Sequence, residues 1–262
     1  MKKAVFPNKI YQFLLTLIGS VVLVTPLMFL KMKYSFIEEN LFMNLFFIAQ
    51  MGVACIFLYL INQKRKVTPF YVFALKDKQL LFKSITLILI FCLGILPIVN
   101  NYFQQLINHR PLSYEYPGWI LIAGAVILAP VFEELLFRQF FLSGLLGSYK
   151  LKWAILINII IFALIHIKPI QIWPALLYGL LFSVVFYKTR SVANTILLHA
   201  FTNGTTLFFI FLQLKFATFS HFYAVYSAPI LIVSTLLILI LIKMWFLSSL
   251  ISGNSVSVKA SL

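Results

Sequence analysis

"GWILIAGAVILAPVFEELLFRQF", residues 118–140, is the stretch on which the reading of this chain turns. Fifteen uncharged residues lead into Glu133, Glu134 and, four positions later, Arg138, after which the apolar run resumes. The whole 262-residue chain holds only six Asp and Glu together. An unpaired charge at a bilayer centre costs about 2.5–3.5 kcal/mol on insertion scales, so two acids and a base inside an apolar run read first as function. That reading requires a membrane, and composition supplies it.

The chain is 62% hydrophobic and 10% charged, with mean hydropathy +1.01. A soluble domain carries about 25% charged residues. The expectation is an all-α, polytopic transmembrane helical bundle. A span needs about 17–25 mostly apolar residues, and eight segments qualify: 10–30, 41–61, 80–99, 118–143, 153–167, 170–187, 192–212 and 222–242. The fifth is the shortest, and only Lys168 and Pro169 separate it from the sixth. The first, with an apolar stretch too long for a signal-peptide core and no small-x-small cleavage site, reads as a retained helix. With both termini cytoplasmic, the inner segments hold fifteen Lys and Arg, the outer loops five, and Arg138 lies within a span. This asymmetry is the positive-inside pattern.

The net charge of +15 is scattered in short clusters between apolar runs, without the basic stripe of a nucleic-acid binder, and reads as loop charge facing anionic lipid. Cys55 and Cys92 lie in apolar runs at no metal-ligand spacing and read as buried thiols. A lysine-rich, Ile-, Phe- and Asn-rich composition points to an AT-rich bacterial genome, hence to the bacterial cell membrane. One membrane domain, 1–262, is expected, with its polar core in 118–212 and spans of unassigned role in 1–117.

The acids and histidines of the apolar segments fall in three places. In an α-helix, positions four apart share a face, so Glu134 stacks with Arg138 as an ion pair while Glu133 points elsewhere, available to a cavity. Pro130 removes a backbone donor and kinks the helix near these acids. His166, in "FALIH", shares a face with Phe162, and His199 and Asn203, in "HAFTN", project together from the seventh span. Taken singly, each of these is as compatible with a hydrogen bond between packed helices as with chemistry. Three spans so equipped, in a chain of four histidines, favour a shared polar cavity. His109 and His221 fall in outer loops as solvated bystanders.

A carboxylate, two histidines and an amide suit hydrolysis of a peptide bond by water. Glu133, aided by His166, takes the proton from water, while His199 and Asn203 donate hydrogen bonds to the developing oxyanion. Glu133, His166 and His199 also form a two-histidine, one-carboxylate set for zinc. The absence of an H-E-x-x-H helix, and of an obvious carboxylate behind either histidine, favours a cofactor-free site.

These motifs resemble a known family. "EELLFR" matches E-E-x-x-x-R, "FALIH" matches F-x-x-x-H and "HAFTN" matches H-x-x-x-N, in the order found in the CPBP intramembrane proteases, the CAAX-protease and bacteriocin-processing or Abi family. The resemblance covers 118–212. It implies an all-helical intramembrane endopeptidase of the glutamic type, with Glu133 activating water, His166 sharing it, His199 and Asn203 as oxyanion donors, and Glu134 with Arg138 in support. Eukaryotic members trim prenylated proteins, and bacterial ones are linked to peptide maturation, bacteriocin self-immunity and pheromone processing. For this chain the expected substrate is a membrane-associated peptide or the tail of a membrane protein. Two other classes stay open: a non-catalytic scaffold or immunity protein that uses the same residues for packing or partner binding, and a proton-coupled transporter. The transporter, for which paired broken helices in two halves are expected, is disfavoured because this polar constellation lies only in the second half of the chain.

Overall fold

A computed structural model describes residues 4–33, 38–67, 73–106 and 118–243, and every regular element among them is a helix. Six helices are long and apolar enough to cross a membrane: α1 (Ile10–Phe29), α2 (Leu41–Lys64), α3 (Lys78–Asn100), α4 (Trp119–Leu146), α6 (Pro169–Thr189) and α7 (Val192–Leu212). They match six of the eight expected spans. The other two are shorter, α5 (Leu151–Leu164) and α9 (Ser227–Ile242), with α8 (Ala217–Val225) before the latter.

Each shortening has a local cause. α5 stops where Ile167 takes a left-handed backbone, φ 59°, a conformation that a β-branched residue adopts only under strain. Its fourteen residues rise about 21 Å, less than the roughly 30 Å hydrocarbon core. The eighth expected span breaks at Tyr226, whose φ of −101° and ψ of 18° leave the helical region, so that 222–225 belong to α8. The termini of the chain, 1–3 and 244–262, and His109 lie outside the described residues.

The helices fall into two compact units. The first comprises Met1–Leu81 and Tyr114–Gly204. Its core is aromatic: Phe13 stacks on Phe141 with ring centroids 3.9 Å apart and meets Phe137 edge-on, and Phe137 in turn meets Phe162 edge-on at 5.1 Å. α5 and α6 pack together as a helical hairpin. Gly179 permits their close approach, because a Cβ there would lie 3.2 Å from the Phe162 ring. The stretch before α1 is gripped by its main chain: Asn62 accepts from the Phe6 N–H at 2.8 Å and donates to the Phe6 carbonyl at 2.7 Å.

The second unit comprises Phe82–Ser113 and Thr205–Leu262. Here α3 widens to a π-helical turn at Phe91–Ile95, and Gly94 lies so close to Ser234 of α9 that no side chain fits between them. The widened turn exposes the Leu93 carbonyl, which accepts a hydrogen bond from the Tyr223 hydroxyl of α8.

α4 positions the polar residues, and it is not a uniform α-helix. It runs α over Trp119–Ala123, π over Gly124–Leu128, α over Ala129–Glu134, π over Leu135–Leu142 and α again over Ser143–Leu146. A π turn reaches five residues instead of four, bulging the backbone and redirecting carbonyls away from the helix. Two carbonyls of the second π segment find side-chain donors. Asn158 Nδ2 of α5 bonds the Phe137 carbonyl at 2.9 Å, and Ser143 Oγ bonds that of Arg138 at 3.2 Å. Ser183 of α6 then donates to Asn158 Oδ1 at 3.2 Å, so one amide ties α4, α5 and α6 together.

Candidate functional site

Glu134 and Arg138, both without solvent exposure, pair as the four-residue spacing predicts, Nη1 to Oε1 at 3.1 Å. The bond survives although the π segment begins at residue 135, because it closes within the first turn after Glu134. The guanidinium also donates to the Gly179 carbonyl at 3.4 Å and lies 4.3 Å from the Phe162 ring centroid and 5.5 Å from that of Phe182. Such a buried cation is held by an anion, a carbonyl and two π faces, each partly replacing lost water.

The same Glu134 Oε1 accepts a second bond, from His199 Nδ1 at 2.8 Å. This overturns the expectation that no carboxylate stands behind either histidine. The sequence hides the contact because sixty-five residues separate the partners. A carboxylate oxygen only accepts, so Nδ1 carries the proton, and Nε2 is the imidazole nitrogen that faces onward. It lies 3.9 Å from Oε2 of Glu133. Glu133 is 5% exposed, and its Oε2 has no hydrogen-bond partner. Two acids that adjoin in sequence therefore sit on opposite nitrogens of one imidazole, the first at a distance, the second in direct contact.

Phe162 links this group to His166. Its ring is edge-on to His166 at 5.1 Å and to His199 at 6.0 Å. His166 Nδ1 bonds the Phe162 carbonyl at 2.9 Å. Since a carbonyl only accepts, Nδ1 is again the protonated nitrogen, leaving Nε2 with a lone pair. His166 stands just before the strained Ile167, at the end of α5. Asn203, one turn after His199, turns its Nδ2 to the Ala125 carbonyl at 2.8 Å, in the first π segment of α4.

The structure thus joins Glu133, Glu134, Arg138 and His199 in one cluster. It places His166 one aromatic ring away and directs Asn203 to backbone. Among the described residues no three His, Cys, Asp or Glu side chains are grouped to hold a metal ion. Sequence reasoning found Phe162 through its shared face with His166. It missed Phe182, Asn158 and the Gly179 and Ala125 carbonyls, none of which has a chemically unusual side chain or an informative spacing.

Comparison with known proteins bears on this core. Residues 115–205 match the family model described as type II CAAX prenyl endopeptidase Rce1-like. This part of the chain is thus similar to the CPBP proteases. The match encloses every residue of the cluster and all three CPBP motifs. The UPF0177 protein YbdI of Lactococcus lactis subsp. lactis (strain IL1403) is 29% identical over 121 residues, which is 45% of this chain. The chain spans 64% of that relative's length. No solved structure matches. With six apolar helices of spanning length and a match to a membrane-protease family model, the chain is an integral, multi-pass membrane protein.

Proposed function

We propose that the chain is an intramembrane endopeptidase that hydrolyses membrane-associated peptides or the tails of membrane proteins. The observation that carries this reading is the buried, unpartnered Oε2 of Glu133, 3.9 Å from an imidazole whose other nitrogen is fixed by Glu134. A neutral Nε2 and a carboxylate oxygen are both acceptors, so a hydrogen-bond donor belongs between them. Water is such a donor, and there it meets a base.

In this mechanism Glu133 takes a proton from water as the oxygen attacks the scissile carbonyl, and His166, through its unprotonated Nε2, shares that water. The proton that Glu133 takes passes on to His199 Nε2, and the imidazolium so formed donates to the oxyanion while the Glu134 carboxylate on Nδ1 stabilises its charge. Asn203 supplies the second donor from its remaining amide hydrogen. That proton then returns through Glu133 to the leaving nitrogen. The family description, a prenyl endopeptidase, supports cleavage of a peptide chain, and the proposed setting is peptide maturation, pheromone processing or bacteriocin self-immunity.

Two rival readings each have an observation in their favour. The carboxylate behind His199 also suits a metal-binding histidine, and zinc on Glu133, His166 and His199 is the alternative to direct carboxylate chemistry, although these three side chains are not grouped to hold it as they stand. Chelation followed by zinc add-back separates these two. The buried Glu134–Arg138 pair and the Asn203 bond to backbone also hold helices together, as a non-catalytic scaffold or immunity protein requires.

The deciding experiment brings wild type and Glu133→Gln to equal abundance in membranes and compares products from exported peptides and membrane-protein tails by mass spectrometry. Products formed by the wild type alone support the peptidase. A cellular phenotype lost in Glu133→Gln, with no products from either protein, assigns the cluster to partner binding.

A further inference from the structure

Pro130 stands where a π turn needs a donor. At the end of the Gly124–Leu128 segment, the Ala129 N–H reaches back five residues to the Gly124 carbonyl. In the same register the Ala125 carbonyl belongs to the N–H of residue 130, which is a buried proline and has none. A carbonyl left thus inside an apolar helix is costly unless another donor meets it. Asn203 Nδ2 meets it, at 2.8 Å. Because that oxygen can only accept, the bond also fixes which way the Asn203 amide faces, with Nδ2 on Ala125 and Oδ1 turned from it.

We propose that Pro130 is a positioning residue for Asn203. By leaving the Ala125 carbonyl without a backbone donor, the proline creates the acceptor that holds one Nδ2 hydrogen and orients the other. The proposal rests on the peptidase reading only for the task of that second hydrogen, which is to meet the oxyanion. The exchange of a backbone donor for a side-chain donor is independent of it. Alanine at 130 returns an N–H to the register, and Asn203 is then no longer required by Ala125.

The test uses the full chain purified in mild detergent, as wild type, Pro130→Ala, Asn203→Ala and the double variant. Asn203→Ala is expected to lower the unfolding midpoint by about 2–4 °C in the wild-type background, and by less than half as much alongside Pro130→Ala. Equal shifts in both backgrounds overturn the proposal, because uncoupled sites add. A spectroscopic readout serves if a variant folds poorly. Protein labelled with carbonyl-¹³C alanine and side-chain-¹⁵N asparagine is expected to show an Nδ2-to-carbonyl correlation in the solid state, lost in Asn203→Asp and weakened in Pro130→Ala. Its absence from wild type, or full strength in Pro130→Ala, also overturns the proposal.

With a cleaved peptide in hand, Pro130→Ala is expected to lower kcat, toward the roughly 10²-fold loss of one oxyanion donor, with KM unchanged. An unchanged kcat refutes positioning. If no peptide is cleaved by wild type while the midpoints couple, the peptidase reading fails and the donor exchange stands.

Discussion

Glu133 and Glu134 adjoin in sequence, yet their surroundings give them opposite tolerances. Glu134 is engaged by a guanidinium and an imidazole, whereas Oε2 of Glu133 is buried with nothing bonded to it. Replacing Glu133 by Gln removes a buried negative charge without breaking a hydrogen bond at that oxygen. The expected outcome is an unfolding midpoint equal to or above that of wild type, with peptide cleavage reduced by about 10²–10⁴-fold. Stability rising while activity falls is the behaviour of a site residue and not of a packing residue. Glu134→Gln should instead lower the midpoint together with cleavage. It leaves Arg138 buried without its counter-ion, a loss of about 3–5 kcal/mol when one partner of a buried pair is removed. Replacing both, Glu134→Met with Arg138→Met, is expected to recover most of that stability in thermal unfolding. Cleavage should stay lost, because His199 no longer has the acceptor that orients it.

Among the elements, the α5–α6 hairpin sets the geometry of the cluster through Phe162, whose ring contacts Arg138, His166 and His199. Gly179→Ala tests this link. Alanine is favoured over glycine within a helix by about 1 kcal/mol, but its Cβ would sit 3.2 Å from the Phe162 ring. That ring has little room to yield, held between Phe137 and Arg138. Overpacking costs about 1–3 kcal/mol and should win. The expectation is a lower midpoint in thermal unfolding, together with reduced cleavage as Phe162 shifts against both histidines.

How far each element was legible follows from how local its physics is. The Glu134–Arg138 pair was readable because one helical turn brings the partners together. The bridge from Glu134 to His199 was not, since it depends on how α7 packs against α4. Nor were the π segments of α4: hydropathy registers that a stretch is apolar and helical, while turn width depends on donors supplied by Asn158, Ser143 and Asn203. The fifth and eighth segments were read as spans from apolar content, but a left-handed Ile167 and a break at Tyr226 are backbone events that hydropathy does not sense.

For the whole molecule, the fifteen-to-five distribution of basic residues carries the expectation that both termini face the cytoplasm. Reporter fusions test it: a cytoplasm-dependent fluorophore should be active at either end, and a phosphatase that needs export inactive at both. Activity of the phosphatase at one end alone requires an odd number of crossings. A crossing then has to be removed from or added to the eight, and α5, too short to span hydrocarbon when upright, is the first element to reassign.

The grip of Asn62 on Phe6 bears on how freely this chain can vary. The amide holds the peptide N–H and C=O of residue 6, atoms that nearly every amino acid shares, so it recognises a place in the chain and not a kind of side chain. The grip itself therefore sets the path of the backbone into α1 without choosing the side chain at position 6, whose ring is held separately by the core and by Arg65. Position 62 has little latitude, since few side chains present a donor and an acceptor side by side.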